Sequence, residues 1–163
     1  GISNMTLSII RIIFAIILVA ISAFDLFVNV IPNYRQLTAS HHLLHLSTFT
    51  MTALALANFL NVNEAYSRSI KTLFQILLPF TFTMMLFYLI FVMDPRDPRN
   101  SLIDMVPTVL TNVLPFAFLM VDWVLNNILY NYAYTVYIAL YLVLAYIPLT
   151  WINYYIYGYY PYP

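Results

Sequence analysis

LSIIRIIFAIILVAISAFDLFVNV, residues Leu7 to Val30, holds a single cation and a single anion, Arg11 and Asp25, placed toward opposite ends. About 20 predominantly apolar residues in a helix cross the hydrocarbon of a bilayer, and this run is long enough. Four more such runs follow, near residues 43–61, 72–93, 106–125 and 133–153. Backbone polar groups in lipid must be satisfied within the segment, which leaves helices or a closed barrel. Long runs without apolar/polar alternation exclude the barrel. The expected fold class is therefore all-α, a polytopic transmembrane bundle of about five helices forming one domain over residues 1–163.

Composition points the same way. Of the residues, 63% are hydrophobic and 7% charged, against about 25% charged in a soluble domain. Six Lys+Arg balance six Asp+Glu, so bulk charge implies neither nucleic acid nor a strongly anionic surface as partner. With no cysteine, disulfides and thiolate metal sites are excluded. Two glycines against 15 Tyr and 12 Phe mean that close Gly-mediated helix contacts cannot be the general packing device. Bulky aromatic packing is expected instead.

The first three loops are read as short and polar: Ile31 to His42 with Pro32 and Arg35, Asn61 to Lys71 with Glu64 and Arg68, and Asp94 to Asp104 with Arg96 and Arg99. Connections of that length join sequential neighbours as hairpins. Orientation is close to a tie, because Arg11, Arg68 and Lys71 oppose Arg35, Arg96 and Arg99. Gly1 opens the chain, with Met5 as another possible start; a myristoylation signal would need Ser or Thr where Met5 stands. Asn4-Met5-Thr6 is a formal glycosylation acceptor too near the first run for ready access. The C-terminal stretch from Tyr154 to Pro163 reads as an interfacial aromatic belt after which a further helix is expected.

Ionisable groups at membrane depth are costly and are functional suspects by default. Arg11 is near enough to a helix end to snorkel and Asp25 lies near the other end, so an interfacial or helix-pairing role is expected for both. Asp122, beside Trp123 and followed by Asn126 and Asn127, reads as a helix terminus at headgroup level. The densest polar chemistry is Ser40-His41-His42-Leu43-Leu44-His45-Leu46-Ser47-Thr48-Phe49-Thr50. His41 and His45 share a face at i, i+4, as zinc ligands do, but no cysteine or evident carboxylate completes the set. Three histidines are too few for a membrane di-iron oxidase. No metal or other cofactor is expected. His45 and Thr48 also share a face, at i, i+3, and an imidazole-activated hydroxyl is the general recipe for acyl transfer; against this, Thr in membrane helices commonly bonds its own i−4 carbonyl. Alternating hairpins put Thr48 and Leu110-Thr111-Asn112 at similar depths from one face, where a shallow cavity would let them meet.

From about Leu46 onward the chain resembles the androgen-induced family of membrane threonine hydrolases, which cleave fatty-acid esters of hydroxy fatty acids. Leu46-Ser47-Thr48-Phe49, Val113-Leu114-Pro115-Phe116 and Gly158-Tyr159-Tyr160-Pro161-Tyr162-Pro163 carry the likeness in order and spacing, together with the Asp94 loop. The resemblance implies six helices in the endoplasmic reticulum or a connected membrane, with Thr48 at the nucleophile position. It also implies a histidine three residues before Val113, where this chain has Leu110. Leucine cannot accept the hydroxyl proton, and His45 is the nearest substitute.

Two functions follow as expectations. One is a non-catalytic accessory or structural subunit of a membrane assembly, with membrane lipids and other transmembrane subunits as partners and no nucleic acid. The other is an active threonine-dependent hydrolase of lipid esters using Thr48, assisted by His45 or by a residue in Thr108 to Asn112. A transporter or channel fits poorly, because Pro79, Pro115 and Pro148 form no paired pattern and no midplane polar pathway is evident.

Overall fold

The computed structural model describes residues 3–32, 39–60, 64–92 and 102–126, and positions 136, 140, 144, 148, 151–152, 154–156 and 158. Nearly all of these are helical, and no strand occurs among them. Helix α1 spans Asn4–Asp25 and continues as a π-helical turn over Leu26–Val30. Helix α2 spans Ala39–Leu60, and α3 spans Glu64–Phe87 with a π-helical turn over Tyr88–Val92. Helices α4, Leu102–Asn112, and α5, Leu114–Asn126, follow. Among the described residues three stretches are long and apolar enough to cross a membrane: Asn4–Val28, Tyr66–Ile90 and Val109–Asn126.

Local chemistry accounts for the ends and breaks. Ser3 caps α1, its Oγ accepting from the Thr6 N–H at 3.2 Å, which satisfies one of the orphan donors of the first turn. Pro115 has no N–H to donate into the preceding turn, and the helix is interrupted as a turn at Val113. The rod stays nearly continuous, because the Val113 N–H reaches the Val109 carbonyl at 2.8 Å and the Ala117 N–H reaches Val113 at 3.0 Å. The run expected as one helix over 106–125 is thus two helices end to end. Pro79 sits inside α3, where the Thr83 hydroxyl bonds the Pro79 carbonyl at 2.9 Å. The loop expected from Asn61 to Lys71 is helical from Glu64, so α3 starts well before residue 72. In the last run only scattered positions are described, among them Val136, Leu140 and Leu144, which are helical and exposed. Gly158 closes that region at φ +67 with its N–H on the Tyr154 carbonyl at 2.7 Å, a left-handed helix stop that glycine adopts without strain.

Side-chain distribution differs from that of a water-soluble bundle, with many apolar side chains outside and several polar ones within. Ile12, Ile13, Ile16 and Val19 face outward from α1, while Arg11, Asp25, Thr48, Thr50, Gln75, Thr81, Asn112 and Asp122 are buried. Lipid solvates the apolar faces, so helix association there relies on packing and on interhelical hydrogen bonds rather than on a hydrophobic effect. Helices α1 and α2 pack most extensively on each other, α2 packs on α3, and α5 lies against α1, α2 and α3. Leu18, Leu44, Met51, Phe74, Leu77 and Leu119 fill the centre. Phe14 stacks on Phe118 with centroids 4.2 Å apart, and Phe82 meets Phe116 at 5.2 Å, the aromatic packing expected of a chain so short of glycine. These are the features of an integral membrane protein.

Candidate functional site

Antiparallel packing sets the polar face of α1 against that of α2. Ser22 and Asp25 stand three apart on α1, one turn beyond Leu18; His41, His45 and Thr48 stand four and three apart on α2. Both spacings keep side chains on one helical face. Facing each other in opposite directions, the two rows meet as three rungs: Leu18 with Thr48, Ser22 with His45, and Asp25 with His41.

The outermost rung is ionic. The fully buried Asp25 carboxylate lies with both oxygens 2.9 Å from His41 Nδ1, an N–H donor shared between them. His45 Nε2 lies 3.4 Å from Asp25 Oδ2, within ion-pairing reach but not aligned for a hydrogen bond. On the other side of the same ring, Nδ1 is in hydrogen-bond contact with Ser22 Oγ. In the tautomer that carries its proton on Nε2, Nδ1 accepts from the serine hydroxyl. His41 and His45 thus serve one carboxylate. Among the described residues no group of three His, Asp or Glu is arranged to hold a metal ion.

The innermost rung contains Thr48. Its Oγ1 donates to the Leu44 carbonyl at 2.8 Å and lies 3.3 Å from the Leu18 carbonyl. The first bond is the i−4 back-bond common to membrane helices, and the second ties α2 to α1. No hydrogen bond joins Thr48 to His45, whose ring is engaged by Ser22. Leu110 lies half-buried in α4. A small void of about 10 Å³ does separate Leu43 from Thr111 and Asn112, but Thr48 does not line it, and it is no larger than one water. Thr48 faces α1 instead of meeting the Thr111 region.

A second ionic rung braces the opposite end of the bundle. Arg11 Nε donates to Asp122 Oδ1 at 2.7 Å and Nη2 to Oδ2 at 3.0 Å, and both residues are buried. Arg11 therefore takes the helix-pairing role rather than snorkelling, and Asp122, near the end of α5, is its buried partner. Arg11 and Asp25 are separated by about 21 Å along α1 at 1.5 Å per residue. The two ionic rungs accordingly bracket the apolar centre of the bundle. Sequence reasoning weighed these residues singly and missed Ser22 altogether; the i, i+3 spacing of Ser22 and Asp25 was the available signal. No family model, curated protein or solved structure matches the chain.

Proposed function

We infer that the chain is a non-catalytic accessory or structural subunit of a membrane assembly. The observation that carries this reading is the engagement of Thr48: its one hydroxyl proton goes to backbone carbonyls, and no imidazole stands against it. A nucleophilic hydroxyl needs a base within hydrogen-bond reach, with the base held by a third group. Arg11 with Asp122, Asp25 with His41 and Ser22 with His45 instead join one helix to another, as scaffolding requires. Outward, α1 offers Ile12, Ile13, Ile16 and Val19, a surface on which lipid or the helix of another subunit packs equally well. Solubilisation in a mild detergent followed by native mass measurement tests the reading. A transmembrane partner at fixed stoichiometry is expected; a monodisperse single chain contradicts it.

A second reading rests on one contact. Ser22 Oγ touches His45 Nδ1 while Nε2 of the same ring lies 3.4 Å from Asp25 Oδ2, the order of nucleophile, base and carboxylate, with the last contact an ion-pair approach rather than a hydrogen bond. On this reading the chain is a hydrolase of lipid esters that uses Ser22 in place of Thr48. Ester turnover lost in Ser22→Ala and kept in Thr48→Ala supports it; turnover indifferent to Ser22→Ala ends it.

A further inference from the structure

We propose that the cleft between the first turns of α1 and α3 and the last turns of α2 and α5 binds the headgroup of an anionic phospholipid. The cleft has a volume of about 430 Å³, within the roughly 300–1,000 Å³ of small-molecule sites. Its polar wall is Asn4, Ser8, Arg11, Ser67, Lys71 and Asn126. Leu7 and Ile70, both buried, form part of the apolar floor. Helix directions place all of these at one end of the bundle. Asn4 to Arg11 covers about 10 Å of rise, the depth over which headgroup gives way to acyl chain.

Charge selects the ligand. Arg11 is neutralised by Asp122 behind it, and Lys71, exposed on α3, forms no ion pair among the described residues. The described side chains of the wall thus carry one net positive charge, which a phosphodiester monoanion balances. Ser67, Asn4 and Asn126 add hydroxyl and amide donors suited to phosphate oxygens. No acidic side chain lines the cleft among the described residues, so a choline or ethanolamine cation would meet the like charge of Lys71. A headgroup without a cation, such as glycerol, is favoured over both. A lipid source is favoured over free phosphate because the same turns of α1 that line the cleft also carry the exposed Met5 and Ile9, apolar side chains against which acyl chains would lie. The site does not depend on the accessory-subunit reading.

Spin-labelled lipids and the full chain reconstituted in phosphatidylcholine vesicles test the site. Electron spin resonance gives the fraction of phosphatidylglycerol and of phosphatidylcholine label held at the protein. Phosphatidylglycerol is expected to associate about fivefold more strongly than phosphatidylcholine, the contribution of one cation near the surface. Lys71→Gln should bring the ratio to about one, while Arg68→Gln, a neighbouring exposed cation on α3, leaves most of the preference in place. Ser67→Leu, which fills the cleft without changing charge, should also abolish it. Equal association of the two labels in the parent chain overturns the proposal. So does a preference that survives both Lys71→Gln and Ser67→Leu, or one that inorganic phosphate displaces at millimolar concentration.

Discussion

Arg11 and Asp122, 111 residues apart in the chain, meet in a buried two-bond fork, Nε to Oδ1 at 2.7 Å and Nη2 to Oδ2 at 3.0 Å. The guanidinium presents two parallel donors to two acceptor oxygens, the strongest form of neutralisation available to a buried carboxylate. It joins α5 to α1 beside the stacked Phe14 and Phe118.

Removing one partner leaves the other charge uncompensated in a low-dielectric interior. Arg11→Met or Asp122→Leu alone should destabilise the chain by about 3–5 kcal/mol, whereas the double variant should regain most of that loss. Thermal unfolding of the four proteins in one detergent measures the coupling. Additive losses would mean that the fork does not hold the helices together.

The three rungs between α1 and α2 define a register that cross-linking can read, since the chain has no cysteine of its own to compete. Ser22→Cys with His45→Cys should be joined efficiently by a short bis-maleimide. Ser22→Cys with Thr52→Cys, two turns further along α2, should be joined poorly. Equal yields would place the helices in a different register.

Ser47 and Thr48 are adjacent buried hydroxyls with opposite bonding. Ser47 Oγ has no hydrogen-bond partner, whereas Thr48 Oγ1 is bonded. Ser47→Ala should therefore be neutral or stabilising by up to about 1 kcal/mol, because it deletes an unsatisfied buried group. Thr48→Val should cost about 0.6 kcal/mol, the average worth of an interhelical hydrogen bond in a membrane protein. Unfolding in a graded denaturing detergent distinguishes the two signs.

Helix existence was legible because an apolar run of about 20 residues has few alternatives in lipid. The start of α3 was not: Glu64, Arg68 and Lys71 read as a polar loop, yet a helix can continue past the hydrocarbon edge with charged residues in its solvated turns. Hydropathy measures solvent, not backbone conformation. The break at Val113 was foreshadowed by Pro115, although the surviving hydrogen bonds across it were not. At the candidate site, the sequence showed that His45 and Thr48 share a face but not which groups lie opposite. Ser22 on the facing helix decided the outcome by engaging the imidazole. The pairing of Arg11 with Asp122 was equally hidden, since spacing within one helix carries no information about a partner 111 positions away. The Tyr-rich end lies largely outside the described residues, apart from positions such as Tyr154 and Gly158.

Covalent mapping with a lipophilic fluorophosphonate on the full chain in phospholipid–detergent micelles tests most directly whether the interior hydroxyls are chemically silent. With a known serine hydrolase labelled in the same micelles as positive control, mass spectrometry should find no adduct on Thr48 or on Ser22. A stoichiometric adduct on either residue, lost in Thr48→Ala or Ser22→Ala respectively, would contradict the account.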